Sequence, residues 1–292
     1  DRLTDGAVAV AEKMKMPQIV IGLTIVAMGT SMPEFCVSFI SALKGTSDLA
    51  VGNIVGSNIF NALLIVGVSA LVAPMTIMKT TVRKDIPFAL VASALLLIMC
   101  LDGDISRLDA GILFVMFLIF MYMTLKGAKK QGADAEEAIE GEGKKPMATW
   151  LSVVWILVGL LCLIGGSNLF VEGATAVATN LGVSEAVIGL TIVAGGTSLP
   201  ELATSVVSAR KGNSGIAIGN ALGSNVFNIL AILGITGMIT PMTLKGITYI
   251  DLSMLVISIM LVWLFSFTKY KIERWEGAVL TAVFVGYIYS LL

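Results

Sequence analysis

The sequence predicts an all-α membrane protein, with ten transmembrane helices arranged as two inverted five-helix repeats and the first helix truncated. Three observations point there. Of 292 residues, 57% are hydrophobic and 13% charged, where soluble domains run at about 45–50% and about 25%. A soluble domain of this length needs a polar shell that so few charges cannot make. Apolar runs of about 20 residues, the length of a bilayer-spanning helix whose backbone groups bond internally, recur along the chain. The chain also repeats itself at a fixed spacing of 167 residues.

Taken in order, a partial apolar run at 1–16 ends at Lys13 and Lys15, and the run 17–43 stops at Lys44. The run 49–73 closes at Pro74, a basic loop near 79–84 precedes 86–101, and Asp102-Gly103-Asp104 with Arg107 precedes 108–125. Lys126 to Thr149 then holds ten of the 39 charged residues, rich in Gly, Glu and Lys, and reads as a solvated linker without EF-hand spacing. Beyond it lie 150–179, then 184–209 closed by Arg210 and Lys211, 216–240 closed by Pro241 and Lys245, 248–268, a charged loop from Lys269 to Glu276, and 275–292. The expected organisation is a first repeat at 1–125, a linker at 126–149 and a second repeat at 150–292. If loops alternate sides, the linker face carries 15 of the 19 basic residues, and only Arg2, Lys44, Arg107 and Lys245 fall on the other. The positive-inside rule then makes the linker cytoplasmic and puts both termini outside.

Composition excludes several functions. A net charge of −1 does not suit a nucleic-acid binder, and the absence of His removes imidazole bases, histidine metal sites and histidine pH switches. Cys36, Cys100 and Cys162 sit in apolar runs without Cys-x-x-Cys spacing, so they read as buried free thiols. The tryptophans Trp150, Trp155, Trp263 and Trp275 read as interface anchors, and the 15 methionines as adaptable packing.

The repeat is specific. Ile21 to Glu34 and Ile188 to Glu201 agree at 12 of 14 positions. At the same spacing Gly52-Asn53, Gly56-Ser57-Asn58, Phe60-Asn61 and Pro74 match Gly219-Asn220, Gly223-Ser224-Asn225, Phe227-Asn228 and Pro241. Five helices per half is an odd number, so the second copy enters the membrane from the opposite side, as in many secondary transporters with a site at mid-depth. Asp1 aligns with Asn168 while the sixth helix begins near Trp150, so the first helix is expected to lack about 18 residues of its counterpart. No signal peptide of ordinary form fits the start.

Glu34 and Glu201 lie deep inside apolar segments, where a bare carboxylate costs a few kcal/mol, so each must face the interior and have a partner. Neither has a basic neighbour in its own helix. Symmetry sets the two across the pseudo-two-fold from each other, and like charges in a dry pocket repel unless a cation or a proton lies between them. The residues alone leave open that each is simply protonated packing glue. Gly29-Thr30-Ser31-x-Pro33 and Gly196-Thr197-Ser198-x-Pro200 predict a helix break just before each Glu, freeing backbone carbonyls. Carbonyls, hydroxyls and carboxylates are hard oxygen ligands suited to sodium and calcium. Asn53, Ser57, Asn58 and Asn61, with Asn220, Ser224, Asn225 and Asn228, form a second duplicated polar set. The Gly52-x-x-x-Gly56 and Gly219-x-x-x-Gly223 spacings favour close helix packing beside it. Asp5 and Glu172 correspond across the repeat nearer the headgroups, where a gating role is a minor reading.

The duplicated Gly-Thr-Ser-x-Pro-Glu, followed by Gly-Asn-x-x-Gly-Ser-Asn-x-x-Asn, resembles the two alpha-repeats of the calcium/cation antiporter superfamily, most closely a prokaryotic sodium/calcium exchanger. The motifs span 21–63 and 188–230. The resemblance implies that Glu34 and Glu201 are the central calcium ligands, joined by Thr30 and Thr197. Ala27, Ser31, Ala194 and Ser198 would complete flanking sodium sites, and Ser57, Asn61, Ser224 and Asn228 would close the cluster. It also implies that helices one and six slide across a rigid core, that the protein lies in a prokaryotic plasma membrane, and that its partners are calcium, sodium and lipid, with no cofactor. Some relatives carry Asp where this chain has Asn228, and an acid there accompanies potassium use, so Asn favours potassium independence.

Two carboxylates balance one calcium or two sodium ions. A three-for-one exchange therefore leaves one positive charge over, worth about 2.3 kcal/mol per 100 mV, and makes transport electrogenic. Three rival readings stay open. A proton/calcium antiporter would use the same Glu pair. A passive cation channel would have no need of two exchanging half-structures. An intramembrane carboxylate protease lacks its catalytic pair, since the one Gly-Asp, Gly103-Asp104, falls in a loop.

Overall fold

The computed structural model describes residues 2–14, 16–135 and 149–291. The chain is predominantly helical. Its helices are α1 (Arg2–Lys13), the bent pair α2 (Gln18–Thr30) and α3 (Met32–Leu43), α4 (Ser47–Val72), α5 (Thr81–Asp102) and α6 (Arg107–Ala135). After the linker come α7 (Thr149–Asn180), the bent pair α8 (Ala186–Thr197) and α9 (Leu199–Arg210), α10 (Ser214–Ile239), α11 (Tyr249–Ser266) and α12 (Arg274–Leu291). Among the described residues six helices are long and apolar enough to cross a membrane, or eight if each bent pair is one span. The difference from ten lies in α1, which has 12 described residues, and in α12, an 18-residue helix that falls below the others in apolar character.

The repeat governs the backbone beyond the motifs. α3 and α9, like α4 and α10, begin and end at positions 167 apart. So do two miniature strands, β1 (Met75–Thr76) and β3 (Met242–Thr243), and their partners β2 (Asp104–Ile105) and β4 (Lys271–Ile272). The pairing is crossed: β1 is antiparallel to β4, and β2 to β3, so each ladder joins the two halves.

Loops sort into two faces. On one, Gly215 packs on Gln18 and Ile19, Lys211 meets Asp5, and Lys79 stacks over Tyr270. On the other, Asp48 accepts from the backbone of Lys245 and Gly246 at 2.9 and 3.0 Å, and the Tyr249 hydroxyl donates to the Leu101 carbonyl. α2 thus starts beside the start of α10, and the start of α4 lies beside the loop that precedes α11.

α4 and α10 form the centre, each with 78% of its apolar span buried, whereas α7 has 7% and α6 22%. Close approach at the centre requires glycine. A Cβ on Gly223 would stand 2.6 Å from both Cα and O of Leu23, and one on Gly56 would collide with the Leu190 carbonyl. Outside this centre α1 and α7 pair through Gly6, set against Ser152, and Gly159, set against Leu3.

Within the charged segment 126–149, α6 runs on to Ala135, and residues 136–148 lie outside the described residues. Two expectations need correction. Cys36 and Cys162 are exposed and only Cys100 is buried, because an apolar run along a helix does not by itself say which of its faces is covered. The helix expected at 86–101 starts earlier, at Thr81, through a π-helical turn.

Candidate functional site

The bends fall where the Gly and Pro residues lead one to expect them. α2 and α3 meet at 46° around Ser31 (φ −82°, ψ 9°), and α8 and α9 at 45° around Ser198 (φ −83°, ψ 5°). Pro33 and Pro200 occupy the first turns of α3 and α9, where a missing amide hydrogen costs nothing. Glu34 and Glu201 follow directly, so both carboxylates sit at helix N-termini, the end whose partial positive charge favours an anion.

All twelve residues expected to contribute to the site are fully buried: Ala27, Thr30, Ser31, Glu34, Ser57, Asn61, Ala194, Thr197, Ser198, Glu201, Ser224 and Asn228 each expose 0%. The contacts cross between the halves. Ser31 Oγ donates to Glu201 Oε1 at 2.7 Å, and Ser198 Oγ donates to Glu34 Oε1 at 2.9 Å. Thr30 Oγ1 donates to Asn220 Oδ1, and Thr197 Oγ1 to Asn53 Oδ1, both at 3.1 Å. Each Glu is therefore oriented by the serine at the other half's bend.

The buried hydroxyls of Ser57 and Ser224 on the central helices break the symmetry slightly. Ser224 Oγ donates to Glu201 Oε1 at 3.3 Å, while Ser57 Oγ donates to the Ala194 carbonyl at 3.4 Å. Asn61 and Asn228 lie on π-helical turns, Phe60–Ile65 and Phe227–Ile232, a geometry that recurs at functional sites. Their amides, together with Glu34 Oε2 and Glu201 Oε2, are buried without a hydrogen-bond partner among the described residues.

The bend does not free the Ala27 and Ala194 carbonyls outright. Ser31 N still donates to Ala27 O at 3.0 Å and Ser198 N to Ala194 O at 3.1 Å, because the chain turns without unwinding. Each carbonyl also accepts a threonine hydroxyl, Ala27 O from Thr30 Oγ1 and Ala194 O from Thr197 Oγ1, both at 3.3 Å.

Asn53 and Asn220, which the sequence marks only as members of a polar set, are the clamps of the site. Asn53 Nδ2 donates to the Glu34 carbonyl at 3.3 Å and to Ser38 Oγ at 2.9 Å; Asn220 Nδ2 donates to the Glu201 carbonyl at 3.2 Å and to Ser205 Oγ at 3.0 Å. Ser38 and Ser205 were not singled out. Their signal in the sequence is their spacing of 167, the same as that of the glutamates.

Among the described residues, no group of three or more His, Cys, Asp or Glu comes together, so the cluster has two carboxylates and otherwise neutral oxygens and amides. No basic side chain takes part in the hydrogen bonds of either one. Such an oxygen-rich and dry cluster, with two carboxylates, has the donor chemistry that suits hard cations.

A family model described as sodium/calcium exchanger protein matches residues 1–126 and 151–292. The chain belongs to the sodium/calcium exchanger family. It is 38% identical over 299 residues to the putative antiporter CaxA of Alkalimonas amylolytica, covering 100% of this chain and 93% of that protein. It is 31% identical to the sodium/calcium exchanger MaX1 of Methanosarcina acetivorans, covering 100% of this chain and 93% of the relative. Its fold is similar to that of the solved sodium-calcium exchanger NCX_Mj, with a TM-score of 0.83 at 31% identity, covering 100% and 93% of the two chains. The chain is thus an integral membrane protein of a cation and calcium antiporter family, a transporter and not an enzyme family.

Proposed function

We propose that this chain exchanges sodium for calcium across a prokaryotic plasma membrane by alternating access, through one site that both ions use in turn. The observation that carries the reading is the crossed pair of carboxylates, each held by a serine of the opposite half and neither offset by a basic side chain. Glu34 and Glu201 bind calcium centrally with Thr30 and Thr197. Ser31 and Ser198 with the Ala27 and Ala194 carbonyls hold flanking sodium ions, and Ser57, Asn61, Ser224 and Asn228 complete the cluster.

The ten helices act as two inverted five-helix repeats. α4 and α10, buried and locked by glycine contacts, keep the site rigid, while the peripheral pair α1 and α7 slides past it. The linker face is cytoplasmic, consistent with its excess of Lys and Arg. Asn at both 61 and 228 leaves the site with two negative charges, so potassium is not needed, and three sodium ions against one calcium move net charge.

Calcium uptake into proteoliposomes, with sodium, potassium and proton gradients imposed in turn, tests this reading. An outward sodium gradient is expected to drive uptake, and an inside-positive potential to increase it, because the net positive charge leaves with sodium. Uptake driven by a pH gradient alone would overturn sodium coupling in favour of proton/calcium antiport.

A further inference from the structure

The repeat sets an acid and a base at equivalent positions near each face of the protein. Asp5 and Glu172 are 167 residues apart, and so are Lys44 and Lys211. On the linker face Lys211 Nζ lies 2.7 Å from Asp5 Oδ1 and ties α1 to the end of α9. Beside that pair the hydroxyls of Thr4 and Ser208, both buried, are 3.4 Å apart.

The opposite face differs. Glu172 near the end of α7 and Lys44 at the end of α3 are both exposed, and among the described residues no ion pair joins them. The position equivalent to Thr4 is Val171, which cannot bond to Ser41 as Thr4 does to Ser208. The same two charges are therefore closed in one half and apart in the other.

In a transporter of inverted repeats, turnover exchanges the conformations of the two halves. We propose that Asp5–Lys211 and Glu172–Lys44 are alternating locks between the peripheral helices and the core. The first closes the linker face in this conformation, and the second forms on the opposite face as the first breaks. Thr4 and Ser208 strengthen the first lock and Val171 leaves the second weaker, so the resting balance favours closure on the linker face. These are positioning residues that act on the site through α1 and α7, and the inference rests on the alternating-access reading above.

The test uses the full chain in membrane vesicles, with Cys36, Cys100 and Cys162 replaced by serine. Lys44→Cys with Glu172→Cys is treated with a short bifunctional methanethiosulfonate, and the crosslinked peptides are quantified by mass spectrometry, a readout independent of transport. Because an exposed ion pair biases an equilibrium only modestly, adding Asp5→Asn or Lys211→Gln is expected to speed this crosslink roughly two- to fivefold. Exchanging the charges, Asp5→Lys with Lys211→Asp, is expected to return it to the slow rate. A rate that ignores both neutralisations, or the absence of any crosslink, overturns the locks. If the pattern holds while no sodium gradient drives calcium, the locks stand and the exchange reading falls. If sodium drives calcium and the pattern ignores Asp5 and Lys211, the locks alone fall.

Discussion

Glu34→Gln and Glu201→Gln, each reconstituted into proteoliposomes, are expected to abolish sodium-dependent calcium flux while folded protein is recovered near the parent yield. The amide keeps the volume of the side chain and can still accept the hydroxyl of Ser198 or Ser31, so the packing around the bend survives. What it withdraws is one of the two charges that face an ion. A divalent cation in a cluster with 0% exposure is then left half-compensated. Removing one partner of a buried charge pair costs about 3–5 kcal/mol, which is at least about 100-fold in affinity at about 1.4 kcal/mol per decade. Near-normal exchange by either variant would remove the site assignment.

The next largest effect is expected at the glycines of the central helices. Gly223→Ala puts a methyl group 2.6 Å from the backbone of Leu23 and 2.8 Å from the Ala27 Cβ, and Gly56→Ala meets Leu190 and Ala194 in the same way. Backbone cannot swing aside as a flexible side chain does, so the helices must separate, at about 1–3 kcal/mol for overpacking of this kind. Both variants are expected to melt several degrees below the parent and to bind calcium more weakly, since α2 and α8 carry Thr30 and Thr197. Gly52→Ala is the control within the same helix: its Cβ would stand 3.3 Å from the nearest atoms, and it is expected to melt close to the parent. Equal melting of all three would contradict the packing account.

Much of this architecture is written in the chain as a period. The spacing of 167 that relates Glu34 to Glu201 also relates the ends of α3 to those of α9 and of α4 to those of α10, because the same apolar lengths and the same Gly and Pro punctuation recur. The bends at Ser31 and Ser198 were legible for a local reason, a proline two residues on that cannot donate an amide hydrogen. Partners across the halves were not. A repeat states which residues are equivalent and leaves unstated which of them meet, so the bonds from Ser31 to Glu201 and from Thr197 to Asn53 depend on how the two copies cross. The π-helical turns at Asn61 and Asn228 were equally silent, since one extra residue per turn leaves no mark on an apolar run that is buried on every side. That α6 reaches into the charged segment was equally unmarked. Lys126 to Ala135 is charged enough to leave the membrane, but its Lys, Ala and Gln are good helix formers, and α6 carries straight on through it.

Anomalous diffraction from crystals of the protein soaked in calcium is the most direct measurement of the central claim. It is expected to place one ion between the two halves, within about 2.3–2.6 Å of carboxylate oxygens from both Glu34 and Glu201. An ion bound to only one of them, or a site elsewhere in the molecule with this pair left bare, would contradict it.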